Sequence, residues 1–304
     1  MLMLINILIP IFLLILLGYF LKLIKFPHKD FWTYLDKFNY FVLFPSLLIS
    51  KLSTADVSAI ESFDYVFVVV LATLIISLGL MIINKIFKFR NDSFTSVYQG
   101  GTRFNSYVFL ALIEALFKDD GIVIGAILMT FMIPLLNILA ISIFSYYVSN
   151  TKLSITSFLK SVFSNPLIVS CLIGGGLNYF DISLPTLILN SMILLSAAAL
   201  PLGLLSVGVG LHFSNVLEVK SELIVSNAVK LLAMPLLILF LASLFDISGL
   251  ILFVILVFGT MPTATSSYIL AKQLGGDTKL MSSIISVQTI VSIITISFYL
   301  QYIH

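Results

Sequence analysis

Two stretches decide how this chain folds: Tyr98-Gln-Gly-Gly-Thr-Arg-Phe-Asn-Ser-Tyr107 in the first half and Gly259-Thr-Met-Pro-Thr-Ala-Thr-Ser-Ser-Tyr268 in the second. Each is a polar interruption in an apolar run of about 20 residues, the length that crosses a bilayer as a helix. In the first, Gly100-Gly101 makes a poor helix interior, at about 1 kcal/mol per glycine relative to alanine. In the second, Pro262 removes a backbone donor and clashes with the preceding turn. Irregular backbone at membrane depth persists only where protein or a wet cavity satisfies its polar groups. The two stretches therefore predict broken helices lining a site, against the simpler reading of kinks softened by serine and threonine.

Around them the chain is apolar: 60% of its 304 residues are hydrophobic, 10% are charged, and the mean hydropathy is +1.16. A soluble domain carries about a quarter charged residues, so lipid must be the solvent here. Ten stretches read as spans, approximately 3–24, 32–52, 63–87, 94–117, 121–148, 157–179, 185–211, 221–244, 249–273 and 279–302. The first has its lysines after the span, unlike a cleaved leader. Of the sixteen lysines and arginines, twelve follow spans 1, 3, 5, 7 and 9, and two follow spans 2 and 4. The remaining two, Arg103 and Lys230, lie within spans. The bias places the basic loops in the cytoplasm and both termini outside the cell membrane. A net charge of +2 argues against nucleic acid. The lone Cys171 excludes an internal disulfide, and His28, His212 and His304 are too scattered to build a metal site by themselves.

The two halves echo each other. Asn105-Ser-Tyr-Val-Phe-Leu-Ala111 parallels Ser266-Ser-Tyr-Ile-Leu-Ala271, with Tyr107 and Tyr268 161 positions apart. Pro45 and Pro201 are 156 apart, as are Pro10 and Pro166. A common offset of half the chain divides it into residues 1–150 and 151–304, with five spans each. An odd number makes the halves cross in opposite directions, which is the inverted repeat of secondary transporters. The expected fold is an all-α integral membrane protein, ten transmembrane helices in two inverted five-helix repeats.

Broken spans running in opposite directions can bring two half-helix N-termini together near the midplane. Their free N–H groups and positive dipole ends suit an anion such as a carboxylate. Asn105 and Ser106 are expected to cap the second half of span 4; Thr263, Thr265 and Ser266 that of span 9. Arg103 has two readings, attraction of the anion and a structural salt bridge. Lys230, in Asn227-Ala-Val-Lys-Leu-Leu-Ala-Met-Pro235, either braces the crossing in place of a bound sodium ion or snorkels to the cytoplasmic interface. Gly174-Gly-Gly176, Gly121-x-x-x-Gly125 and Gly203…Gly208-x-Gly210 read as sites of close helix packing. Trp32 reads as part of an interfacial belt. Asp119, Asp120, Glu61 and Asp64 read as outer-loop charges, with proton coupling the alternative for Asp64.

The stretch from Gly259 to Asp277, followed by Leu280-Met-Ser-Ser283, resembles the auxin efflux carrier family. That family holds plant auxin exporters and bacterial carriers described as malonate transporters. Arg103-Phe-Asn105, Lys230…Met234-Pro235 and Phe44-Pro45 extend the similarity. The resemblance implies a fold like the bile-acid/sodium symporters: spans 1, 2, 6 and 7 as a scaffold, spans 3–5 and 8–10 as a moving domain. Asn105 and Pro262 would mark the crossing. The plant carriers have a proline where this chain has Phe104, and a long loop where only about ten residues, Ser149 to Phe158, join the halves. These departures point to a compact microbial carrier of small organic acids.

The expected function is secondary active transport of a small organic anion by elevator-like movement. Asn105, Ser106, Arg103, Pro262, Thr263, Thr265 and Ser266 would bind the solute, while Gly100, Gly101, Lys230, Pro45 and Pro201 would serve structural or coupling roles. The competing reading is a channel or uniporter of the same fold, although the chain lacks rings of charge or a repeated carbonyl filter. No His-Glu-x-x-His, Gly-x-Ser-x-Gly or Gly-x-x-x-x-Gly-Lys motif suggests an enzyme or an ATP-driven pump. The expected partners are a small organic anion, the bilayer and a second copy through the scaffold helices, without nucleic acid, metal or cofactor. Near the crossing, spans 4 and 9 supply hydroxyls and amides but no carboxylate, which favours proton coupling or uniport over sodium.

Overall fold

A computed structural model describes residues 2–55, 63–148, 163–213 and 221–303, and these form helices and short connections with no strand among them. The helices are α1 (Leu2–Leu23), α2 (Lys29–Phe38), α3 (Phe44–Ser53), α4 (Asp64–Phe87), α5 (Asn91–Thr102), α6 (Ser106–Tyr147) and α7 (Pro166–Tyr179). After them come α8 (Thr186–Gly210), α9 (Ser221–Ala228), α10 (Met234–Leu244), α11 (Gly249–Thr260), α12 (Ser266–Leu274) and α13 (Thr278–Ile303). Each of the ten apolar stretches carries helix. Residues 149–162 and Glu61 lie outside the described residues, so the junction of the halves does too. Long α6 is divided at Lys118, where φ is +55° and ψ −139°.

Five segments are long and apolar enough to cross a membrane: Asp64–Phe87, Asn91–Tyr147, Thr186–Gly210, Ser221–Leu244 and Thr278–Gln301. Ile7–Leu23, Pro166–Tyr179 and Gly249–Thr260 are apolar but shorter. Large apolar side chains face outward, Leu187 and Leu194 on α8 and Ile294 and Phe298 on α13 among them. Thr95, Gln99, Thr263, Ser267 and Gln288 are buried inside. Such a surface suits lipid, which takes apolar side chains at no cost and leaves polar groups to find partners within.

The helices pack in two groups. In one, α1 lies along α8, and α3 packs on α7 and α8. In the other, α5 packs on α9, α10 on α4 and α11, and α13 on α5 and α11. α6 touches both groups. The seam between α1 and α8 is a backbone contact: a Cβ built at Gly208 would lie 1.9 Å from the Ile15 carbonyl oxygen.

Two π-helical turns precede prolines. Asn39–Leu43 leads into Phe44-Pro45, and Val229–Ala233 leads into Met234-Pro235. The Phe44 N–H reaches back to the Asn39 carbonyl and the Met234 N–H to the Val229 carbonyl, five residues earlier in each case. A proline ring crowds the carbonyl four residues before it, and one extra residue in the preceding turn opens the space while keeping the helix running. The extra residue also rotates what precedes it, and each turn carries a fully buried polar side chain, Asn39 in one and Lys230 in the other. Asn39 donates to the Ala199 carbonyl of α8 at 3.1 Å.

Several expectations change here. Gly100 and Gly101 lie inside α5, not in a break. A Cβ at Gly100 would sit 2.0 Å from Ser226 Oγ of α9 and one at Gly101 2.8 Å from the Leu80 side chain of α4, so these glycines admit neighbouring helices and do not interrupt their own. Pro10 and Pro201 sit inside continuous helices, whereas Pro166, the offset partner of Pro10, begins one and Pro45, the partner of Pro201, follows a π turn. Trp32 is 7% exposed and packs inward.

Candidate functional site

The helix from Asn91 ends at Thr102, Arg103 turns extended (φ −74°, ψ 158°), and α6 starts at Ser106. The helix from Gly249 ends at Thr260, Met261 turns extended (φ −65°, ψ 138°), and α12 starts at Ser266. The two breaks touch: the Asn105 backbone N–H donates to the Pro262 carbonyl at 2.8 Å. Thr263 Oγ1 donates to the Gly100 carbonyl at 2.8 Å, and the Thr263 N–H donates to Gln288 Oε1 at 2.9 Å. Gln288 Nε2 in turn donates to the same Gly100 carbonyl at 2.9 Å. A broken helix leaves orphan N–H and C=O groups that lipid cannot satisfy, and here each break supplies partners for the other, with Gln288 of α13 serving both.

At the start of α6, Asn105 Oδ1 accepts from the N–H groups of Tyr107 at 3.0 Å and Val108 at 3.3 Å. This is the expected cap. At the start of α12 the expected side-chain caps do not form. Thr265 occupies the capping position in a helical conformation and makes no side-chain cap bond, while its methyl group lies where a Cβ on Gly210 would go. Thr263 is spent on Gly100, and the first N–H groups of α12 are met by the carbonyls of Ala264 and Thr265.

Beside the crossing is a cavity of about 210 Å³, lined by Tyr40, Arg103, Phe104, Ser106, Ile133, Leu136, Asn137, Asn165, Leu167, Ala264 and Ser266. Of the residues singled out in the sequence, Arg103, Ser106 and Ser266 line it. Asn105, Pro262 and Thr263 form the crossing behind it, and Thr265 packs toward α8. The Ser106 and Ser266 hydroxyls make no hydrogen bond among the described residues. No carboxylate lines the cavity, and no group of three or more possible metal ligands occurs among the described residues.

Arg103 has no carboxylate partner among the described residues, and its Nη1 is buried without a hydrogen bond. Among the described residues the salt-bridge reading finds no partner. Lys230 is fully buried, its Nζ has no hydrogen-bond partner, and it lies 5.5 Å from the centre of the Phe258 ring. Snorkelling is therefore overturned. Phe258 packs on Phe104 of the first break, ring centres 4.4 Å apart, so Lys230 abuts the crossing through two aromatic rings. Of the expected outer-loop acids, Asp119 pairs with Lys51 at 2.5 Å.

Three polar lining residues, Tyr40, Asn137 and Asn165, went unnoticed in the sequence. Tyr40 is turned toward the cavity by the first π turn. Asn137 lies on α6 three residues after Pro134. Asn165 precedes Pro166 at the start of α7, and an asparagine followed by proline ahead of an apolar run is a helix-start signal. Gln288 also went unnoticed, an amide in the interior of α13, whose other amide and its lysine, Gln301 and Lys279, lie at the ends.

The family model described as membrane transport protein matches residues 3–300 of the chain. No curated protein matches it.

Proposed function

The chain belongs to the auxin efflux carrier family of membrane transport proteins, and from that premise we propose that it is a secondary carrier of a small organic anion. What supports an anion is the cavity's lining: Arg103 without a carboxylate partner among the described residues, two half-helix N-termini at Ser106 and Ser266, and no acidic side chain among the lining residues. Each helix N-terminus carries about half a positive charge, so the potential at the crossing is positive from three sources. A volume of about 210 Å³ suits a short carboxylate rather than a bulky aromatic one.

The two packing groups suggest how it moves. α1, α2, α3, α7 and α8 form the scaffold, and the group holding both breaks slides against it as an elevator with the solute at its edge. Both termini face outward. The ten spans form two inverted repeats of five, residues 1–150 and 151–304, and coupling is to protons or absent.

The test is transport in proteoliposomes with carboxylates of two to five carbons, with and without proton and sodium gradients. Saturable uptake accelerated by unlabelled carboxylate inside the vesicle is expected. Carboxylate flux that neither saturates nor shows counterflow would make the protein a channel, and transport of cations or neutral solutes alone would overturn the anion.

A further inference from the structure

A third helix points its N-terminus at the cavity, from the other packing group. Asn165 and Leu167 at the start of α7 line it together with Arg103, Ser106 and Ser266, and α7 packs on α3. Asn165 repeats the geometry of Asn105. Its backbone sits at φ −84°, ψ 110°, against −88° and 105° for Asn105. Its Oδ1 accepts from the N–H groups of Leu167 at 3.0 Å and Ile168 at 3.4 Å, two and three residues ahead, as Asn105 Oδ1 does.

The free donors differ between these ends. At α7, Pro166 has no N–H, Asn165 Oδ1 takes the next two, and the Asn165 carbonyl takes that of Val169 at 3.0 Å. The helix end has no backbone donor left to offer. What remains is the Asn165 side-chain Nδ2, on a residue 9% exposed, lining the cavity and without a hydrogen-bond partner among the described residues. The amide is open to the cavity, where a bound acceptor can reach it.

We propose that Asn165 is a specificity-determining residue. Its amide donates to a second oxygen acceptor of the solute, while the crossing holds the first carboxylate. The site then prefers carboxylates that carry a further oxygen acceptor over alkyl carboxylates of similar size. This rests on the anion-carrier reading above. It goes further in assigning recognition to the packing group that does not hold the breaks, so the second contact exists only while the two groups are aligned around the cavity.

The experiment compares succinate and pentanoate, near-isosteric apart from the second carboxylate, by counterflow in proteoliposomes of the wild-type protein and Asn165→Ser. Serine keeps a capping oxygen for α7 but is too short to present an amide donor. The expected result is a wild-type preference for succinate, read as the ratio of the two counterflow rates, that falls about tenfold in the variant, the loss of one hydrogen bond to a charged group. An unchanged preference overturns the role of Asn165 and leaves the anion carrier standing. Equal loss of both solutes marks Asn165 as a structural cap and likewise overturns it. Wild-type vesicles that move neither carboxylate remove the anion carrier itself, and this inference with it.

Discussion

The Asn105 backbone N–H donates to the Pro262 carbonyl at 2.8 Å, joining two helix breaks that lie more than 150 residues apart in the chain. Each break supplies hydrogen bonds to the other, so straightening one strips partners from both. Proline at 262 fixes φ and denies the chain an N–H with which to continue α11. We expect Pro262→Ala to leave a folded, monodisperse protein whose carboxylate counterflow drops at least tenfold, because a continuous helix becomes accessible. Full transport by the folded variant would reduce the break to a kink.

Arg103 should separate charge from shape. Lysine keeps the positive charge and loses the planar fork, so Arg103→Lys is expected to retain partial counterflow while Arg103→Gln loses far more. Equal tolerance of both would show that charge at this position is irrelevant to the solute. Equal loss at normal protein levels would instead indicate a specific forked contact.

Gln288 and Thr263 share the Gly100 carbonyl, but Gln288 alone satisfies the Thr263 N–H. Gln288→Met leaves that buried donor orphaned and removes two bonds, at about 2–4 kcal/mol. Thr263→Val removes one bond and leaves Gly100 still partnered, at about 1 kcal/mol. Thermal unfolding in detergent should therefore rank Gln288→Met as clearly the more damaging. The reverse order would mean that Gln288 does not hold the breaks.

Lys230 makes no hydrogen bond and no ion pair among the described residues. Replacing buried charge by an apolar group of similar volume is often stabilising by about 1–4 kcal/mol, less the lost contact with Phe258, about 0.5–2 kcal/mol. Lys230→Met is expected to unfold at a higher temperature than wild type and to transport more slowly. A lower melting temperature would mean that the ammonium has a stabilising partner at the crossing.

Much of this was legible because lipid simplifies the grammar. In a chain this apolar, Arg103, Asn105, Pro262 and Thr263 stand out against their neighbours, and the backbone breaks fall at those residues. The cap at Asn105 followed from its type and position. What failed were inferences that depend on a neighbour. Gly100-Gly101 signals either a weak helix or a close approach, and only the position of Ser226 decides between them. Lys230 reads equally as a brace at the crossing or as a snorkelling lysine until its burial is known. Thr265 has the chemistry of a cap, but its conformation turns it toward Gly210. Asn165 carried a readable helix-start signal, yet nothing local says that α7 begins at the same cavity as α6 and α12.

Arg103 and Lys230 belong to the same packing group and travel together if that group moves. With both protonated, the empty crossing carries two uncompensated positive charges. A monoanion leaves one, and a dianion leaves none. A membrane potential acts on each charge that crosses it at about 2.3 kcal/mol per 100 mV. An interior-negative voltage then draws the empty crossing inward, while a carrier loaded with a dianion hardly feels it. The valence of the solute would decide which half of the cycle is electrogenic, and the cell's voltage would set the pace of the empty stroke.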